Sequence, residues 1–440
     1  MSPKVAIIGS GISGLGAAHV LRGRAQVTLL EAGSYWGGHT HTVDIALPTA
    51  QGDTVTHGVD TGFLVFNERT YPQLIALLAE LGVDSVQSDM SFSVQARQAT
   101  GQALEWSGTD LNGLFAQRRN LLSPRFWGML RDLLRFNALT TRLALAGDDA
   151  RMQQTLGDFL DEQGFGQAFR EWYFMPMMAC IWSCPTAQML QFPVATMVRF
   201  CHNHGLLQVT NRPRWWTVRG GAKHYVQAIT AKIADKRLDC PVRAVCHDPL
   251  AHGGRGGVWV HTAEGRELFD RVIVATHSDQ ALALLSDATP LERELLGAIA
   301  YQPNVAVLHT DTSVMPRHRS AWSAWNYERA AQTERENAHV CLHYWLNRLQ
   351  PLPWSTDVMV SLNPVRPIDP AKVIRRIEYS HPVFDLPAMA AQPRMSQIQG
   401  NTGGRQRYFA GAWMGYGFHE DGLKAGMAAA HALLEDVGAA

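Results

Sequence analysis

Apolar positions along this chain follow two periods, and the N-terminal stretch shows both in succession. Lys4–Ile8 is a short apolar run with the length and β-branched content of a buried parallel strand. A helical pattern occupies 15–21, and a second apolar run, Gln26–Leu30, stops at Glu31. Further on, Pro72–Leu81 spaces Leu74, Leu77, Leu78 and Leu81 on one helical face, with Gly82 as its stop. From about 110 to 200 the chain is helical in pattern and rich in Leu, Met, Phe and Trp. The runs 241–245, 258–261 and 267–276 predict strands, the last two about a turn at Glu264-Gly265. Residues 302–395 alternate strand-like runs, such as 305–309, with Pro-rich loops. Asn401-Thr402-Gly403-Gly404-Arg405 has the composition of a linker, and no internal repeat is visible.

The junction between first strand and first helix carries chemistry. Gly9-Ser10-Gly11-Ile12-Ser13-Gly14 sits there, and Glu31 lies twenty residues beyond Gly11. Gly9 allows the tight turn, Gly11 lets the backbone approach a pyrophosphate, and Gly14 lets helix and strand pack closely. The helix N-terminus offers free N–H groups and a positive dipole end to phosphates. A carboxylate at Glu31 can accept hydrogen bonds from ribose hydroxyls. Strand, loop, helix, strand and acid together predict adenine-dinucleotide binding. Gly37 and Gly38, six and seven residues past the acid, let the main chain run close to an extended cofactor.

Composition narrows the class. At 440 residues the chain exceeds the size of a single core, so two lobes are expected. Hydrophobic content of 46% and charge of 18% suit a globular enzyme. Lys+Arg and Asp+Glu are both 39, so no global field favours nucleic acid. Strand-like sequence begins at residue 4, which leaves no room for a leader, and no apolar run reaches the roughly eighteen residues needed to cross a bilayer. Six cysteines without a CxxC pair are expected to be reduced. A cytoplasmic location follows as the expectation.

These landmarks, with several downstream, resemble the flavin-dependent amine oxidase and phytoene desaturase superfamily. There, a ribose-binding Glu is followed by a Gly-Gly pair, as at Glu31 and Gly37-Gly38. Trp215 to Gly221 is similar to the family's second Gly-Gly, and Arg271 to Thr276 to the strand and turn that pass over the cofactor. Tyr408 to Trp413, with Gly415 to Gly422, resembles the last strand and the helix that closes over the flavin. The resemblance implies FAD and an α/β fold. A Rossmann-like FAD-binding domain (1–68, 205–290, 396–440) would interleave with an α+β substrate domain (69–204, 291–395). It places Gly9, Gly11, Ile12, Ser13, Gly14, Glu31, Ala32, Gly37, Gly38, His39 and Thr40 on the cofactor. Gly62, Phe63, Val242, Ala275, Gly411, Ala412, His419, Glu420, Asp421 and Gly422 complete that set.

Within the superfamily, Asn203 to Leu207, Arg212 to Trp215 and Gly417 to Gly422 resemble a bacterial group of NAD/FAD-binding proteins. That group includes the flavin desaturase of furan fatty acid synthesis, which acts on methyl-branched phospholipid acyl chains. It is also similar to the N-terminal part of plant cyclopropane fatty acid synthases. Two positions depart from amine oxidases: Ala412 replaces the usual acid, and His39 stands where Arg is common. A desaturase needs a proton acceptor beside the flavin, and the resemblance carries His39, His419 and Glu420 there. Asp421 suits a helix cap better than a base. His41, His57, His202 and His204 have no metal-ligand context, and no metal is expected.

Three functions remain in play. One is a desaturase of membrane-derived acyl chains. The second is an amine oxidase-like enzyme releasing hydrogen peroxide, and the third a flavin-bound accessory protein of a lipid methyltransferase. A helix over 126–145 would carry Phe126, Met129, Leu130, Leu133, Phe136 and Leu143 on an apolar face, beside a strip of Arg131, Arg135 and Arg142. Either it lies on the inner face of the cytoplasmic membrane, or it packs in the core with a charged edge. Trp172, Phe174, Met175, Met177, Met178, Ile181 and Trp182 likewise suit either core or an acyl-chain tunnel.

Overall fold

Lys4–Ile8 is the middle strand of a five-stranded parallel sheet. The order across it is Asp235–Arg237, Gln26–Leu30, Lys4–Ile8, Arg271–Val274, Arg407–Phe409. The computed structural model describes residues 2–97, 103–146, 154–182, 189–206, 213–329, 340–400 and 405–438. A parallel sheet covered on both faces must be apolar on both, which explains the unbroken character of these runs. Val5, Ile7, Leu29, Ile273 and Tyr408 point into one core cluster, and Ala6, Ile8, Leu30, Val272, Val274 and Phe409 into another.

The first face is covered by helices Ile12–Leu21, Pro72–Leu81, Lys223–Thr230 and His419–Asp436. The closing helix His419–Asp436 crosses the first helix at very short range. A Cβ at Gly426 would lie 1.9 Å from the Ser13 carbonyl oxygen, so no larger residue fits. The second face is covered by an antiparallel meander (Ala244–Asp248, Gly257–His261, Arg266–Phe269) and by helices Pro290–Gly297 and Leu386–Ala391.

The other lobe is a seven-stranded sheet with a helical cap. Its order is Val373–Val383, Ala300–His309, Met359–Leu362, Cys341–Trp345, Trp325–Arg329, Phe92–Arg97, Ala103–Ser107. Only the Trp325–Arg329 and Phe92–Arg97 pair is parallel. The long helix Pro124–Ala146 buries Phe126, Met129, Phe136 and Leu143 in this lobe's core, together with Trp172, Phe174, Met175, Met178 and Trp182. The apolar face predicted from sequence therefore packs inward and is closed to any lipid surface.

Several predicted elements shift. The helix expected over 15–21 begins at Ile12. The strand expected at 241–245 runs instead over Ala244–Asp248. Pro241 has no N–H to pair, and the N–H groups of Asp239 and Cys240 are drawn to the carbonyls of Gly33 and Glu31. The single strand expected over 267–276 is two, in different sheets. The break is Asp270, whose N–H donates to the Lys4 carbonyl and whose carboxylate accepts the Lys4 N–H at 2.7 Å. Pro72–Leu81 ends as predicted on Gly82, which takes the left-handed conformation at φ 66°. Residues 401–404 of the predicted linker lie outside the described residues. The core clusters do not follow the expected domain bounds throughout. Leu74, Leu77, Leu78, Leu295, Leu296, Ala388 and Met395 pack against the parallel sheet, and Val43, Ile45 and Val59 pack with the other lobe.

Candidate active site

Gly9 turns the chain out of the first strand at φ +100°, and a Cβ on Gly14 would meet the Gly9 carbonyl oxygen at 1.9 Å. Gly11 is different: nothing lies within 4 Å of where its Cβ would be, so its outer side is open. It is also the N-cap of the first helix and brings no side chain to the N–H groups of Ile12 and Ser13. Those donors and the dipole end behind them suit a pyrophosphate.

Glu31 is held beside this loop. One carboxylate oxygen accepts the Ser10 N–H at 2.8 Å and the Ser10 hydroxyl at 2.6 Å, and the other accepts the Gly33 N–H at 2.8 Å. The same hydroxyl accepts the Gly37 N–H at 3.1 Å, so Ser10 ties the acid to the Gly-Gly pair. Ser10 was legible only as a variable position of the loop. Ala32 is exposed at the end of the second strand, and Gly38 runs close along Gly11. Val242 lies in the extended segment that passes Glu31, and Ala275 sits against Gly9.

The segment 60–63 is fixed from three sides. Buried Asp60 accepts the Ala222 N–H at 3.0 Å, the Gln350 amide at 2.7 Å and the Thr42 hydroxyl. Burial pushes its carboxyl up to about 6 against those hydrogen bonds. Phe63 N–H then donates to the His39 carbonyl at 2.9 Å, which places Gly62 and Phe63 against His39. The Phe63 ring lies flat on His419, centroids 3.8 Å apart. Thr40, Tyr225 and His419 form a hydrogen-bonded chain, 2.6 Å at each step.

The closing motif divides its roles in a way the sequence did not reveal. Both Glu420 oxygens are occupied, accepting the Gln73 and Leu74 N–H groups at 2.9 and 3.0 Å. Glu420 therefore caps helix Pro72–Leu81, and the expectation of a proton-transferring Glu420 is corrected: both of its oxygens are turned to that helix, which makes it a positioning residue. Asp421 accepts the N–H groups of Tyr416 and Phe418, the cap expected of it. Burial raises its carboxyl to about 6. Gly411 and Ala412 lie in the turn that Trp413 fastens to the Thr276 carbonyl at 3.0 Å, and Gly422 faces Ile12.

A group of histidines gathers where these segments meet. His39 lies 5.8 Å from His277, 5.5 Å from His381 and 4.8 Å from Tyr379, ring to ring. His277 stacks on Tyr301 at 4.5 Å. Burial, aided by like neighbours, lowers His39 and His277 to about 4 and His381 and His419 to about 3. No carboxylate is among the groups that set these values. His39 has a backbone hydrogen bond at Ser380, yet its Nε2 is buried without a partner. His277, His381, Tyr225, Tyr301 and Tyr379 were missed from sequence: the landmarks Arg271–Thr276 and Gly220-Gly221 could have pointed to His277 and Tyr225 just beyond them, whereas Tyr301, Tyr379 and His381 lie in no motif and as far as 342 residues from His39.

Comparison with known proteins decides the family. Residues 12–348 match the family of flavin-containing amine oxidoreductases. The chain belongs to it. FAD is its cofactor, and the open side of Gly11, the uncapped helix start and the anchored Glu31 fit that group. Among solved structures, cyclohexylamine oxidase from Brevibacterium oxydans IH-35A is similar over 100% of both chains, with a TM-score of 0.68 at 17% identity. Wild-type putrescine oxidase bound to putrescine covers 99% of each chain with a TM-score of 0.66 at 15% identity. The CLA-producing fatty acid isomerase from P. acnes covers 97% of each at 0.63 and 16% identity. At such identities these likenesses speak for the fold. None of the curated proteins matches the sequence.

Three other findings bear on the predicted chemistry. His41 stacks on Tyr35 at 4.0 Å, and His204 on Phe200 at 3.9 Å. His57 packs edge-on against Trp354 at 5.9 Å. Although no metal is expected, ligand atoms of Glu328, Cys341 and His343 come within 4.8 Å of one another. Their polar atoms are already engaged: His343 Nε2 meets Glu328 at 3.0 Å, His343 Nδ1 meets Ser361 at 2.7 Å, and Arg366 lies 2.7 Å from the other Glu328 oxygen. A cation at that spot would displace an existing pair, and we assign none. No described helix is long and apolar enough to cross a membrane.

Proposed function

We propose that this flavoenzyme dehydrogenates an uncharged hydrophobic substrate, a methyl-branched acyl chain of a phospholipid. The observation that carries this reading is the neutrality of the site. His39, His277, His381 and His419 all stay unprotonated well below pH 7, with no carboxylate pairing them. An ammonium group would meet no countercharge there and would lose its hydration. An acyl chain has no such cost. Beside the site, Phe418 stacks on Phe200 at 4.8 Å, and Phe200 packs on Trp182 at 4.7 Å in the core of the seven-stranded lobe. The fold is also that of a protein described as a fatty acid isomerase.

Bound FAD supplies the hydride acceptor. Nε2 of His39 takes the proton from the neighbouring carbon, since it is the buried ring nitrogen of the group left without a partner. A conjugate acid near 4 is a weak base by the usual standard. It suffices when hydride loss runs ahead, because carbon next to a developing cation is strongly acidified. A methyl branch stabilises such a cation. The chain Thr40–Tyr225–His419 orients the site, with His419 held by its Nε2.

Family membership favours a second reading, oxidation of an amine bound in its uncharged form between aromatic rings. Anaerobic mixing separates the two. With bacterial phospholipid extract, the flavin should bleach and mass spectrometry should show an acyl product lighter by two hydrogens. Bleaching by simple amines with no response to lipid would hand the assignment to amine oxidation.

A further inference from the structure

We infer that the outward face of the long helix Pro124–Ala146, with the turn before it, docks on an anionic phospholipid bilayer. Of the ten exposed large hydrophobic side chains among the described residues, six lie between 111 and 145. Leu122 is 88% exposed, Leu145 74%, Leu134 59% and Trp127 50%. At about 100° per residue, Trp127, Leu134 and Leu145 fall within roughly 20° of one line along the helix. This is not the face predicted from sequence, which is buried; it is a second, narrower ridge on the opposite side. Trp127 donates its indole N–H to the Leu121 carbonyl at 2.9 Å, so the turn that presents Leu121 and Leu122 is joined to the ridge.

Charge selects the occupant. Residues 111–146 contain six arginines and one acid, in a chain whose totals balance at 39 each. All six (Arg118, Arg119, Arg125, Arg131, Arg135 and Arg142) are exposed, and the acid, Asp132, is buried. Asp132 accepts the Gly166 N–H at 3.0 Å and lies 3.5 Å from Arg131 and 3.8 Å from Arg135, so it offsets at most one charge. Arg131, Arg142 and Arg135 follow about 40–80° around from the apolar ridge. An apolar ridge flanked by cations matches the layering of a bilayer surface, acyl region beneath and phosphate above. A second copy of this chain would bring the same positive face and repel it. DNA would engage the arginines and leave the ridge in water. The inference does not depend on the acyl-chain reading, since a docked enzyme can act on any substrate.

Flotation of the holoenzyme tests it, with vesicles of phosphatidylglycerol and phosphatidylethanolamine set against phosphatidylcholine alone. Anionic vesicles should bind the protein and neutral ones should not, and salt should weaken the binding. Arg131→Gln with Arg142→Gln should lower partitioning by about tenfold or more. Leu122→Ser with Leu134→Ser should lower it similarly, and retained yellow flavin shows that each variant is folded. Absence of binding to anionic vesicles at low salt overturns the inference. So does binding that ignores the leucine changes and is competed away by DNA, which makes the patch a polyanion site. A dimer that the leucine changes convert to monomer, with vesicle binding unaltered, overturns it as well. Docking without any acyl product would remove the substrate reading and leave this one standing.

Discussion

Two histidine groups in this molecule have opposite surroundings. In the seven-stranded sheet, Arg366, Glu328, His343, Ser361, His309 and Asp311 form one continuous polar chain. His343 contacts a carboxylate at 3.0 Å and a hydroxyl at 2.7 Å, and both ring nitrogens are engaged. At the lobe junction, His39, His277, His381 and His419 have no carboxylate and only aromatic or amide neighbours, and His39 keeps an unused nitrogen. Burial distinguishes the groups, since His309 and His343 are fully buried whereas His39, His277 and His381 keep part of their surface exposed. Valence at the imidazoles differs as well: both ring nitrogens of His309 and of His343 are engaged, which rigidifies a core, whereas His39 Nε2 has no partner and leaves an interaction free for a bound molecule.

The contrast is most exposed to test at Glu328. Although burial opposes it, pairing with His343 and Arg366 holds this carboxyl below its usual range. Glu328→Ala should leave buried His343 without its carboxylate and half-buried Arg366 without its ion pair, and cost about 2–3 kcal/mol, read as a lowered denaturant midpoint. Folded protein should keep its flavin and its anaerobic reduction rate. A variant of normal stability with slowed reduction would invert the comparison.

At the junction the expected loss is kinetic. His39→Gln should slow anaerobic flavin reduction by about 10²-fold while the denaturant midpoint stays within error. His419→Ala should slow it only a few-fold, because its Nε2 is already committed to Tyr225. Equal effects of the two changes would remove His39 from its assigned part.

Acid should sharpen the difference. Seven histidines are lowered to about 3 or 4 in the folded chain: His39, His41, His204, His277, His309, His381 and His419. Below about pH 6.5 the unfolded chain takes up protons that these folded sites refuse, so stability falls as pH falls, until the folded sites protonate near pH 3–4. Each site can contribute up to about 1.4 kcal/mol per pH unit in that window and nothing above pH 7. Thermal melts across pH 4.5–8 should show the decline, and His381→Phe, which removes one of the seven sites, should make it shallower. A melting temperature insensitive to pH over this range would mean these imidazoles are charged after all.

The smallest effect belongs to the cofactor end. Ser10→Ala removes a 2.6 Å hydrogen bond to Glu31 and the acceptor for Gly37. FAD affinity should weaken by about fivefold, near 1 kcal/mol, measured by flavin release on dilution. No change in affinity would show that Glu31 is positioned by backbone donors alone.

The cofactor lobe was largely readable in advance because its determinants are local. Gly9, Gly11, Gly14 and Glu31 act through turn geometry, close approach and one nearby carboxylate, and all lie within 23 residues of one another. The parallel strands announced themselves because burial on both faces demands unbroken apolar runs. Local pattern could also place Gly82 and Asp421, whose caps depend on immediate neighbours. It could not tell which way the long helix would turn, since both a core and a surface accept an apolar face. Nor could it see that Glu420 would be drawn 346 residues back to cap Leu74, or that His277 and His381 would meet His39. Those pairings arise where strands from distant segments converge, and the side chains that meet there have no partner in their own part of the chain to signal them.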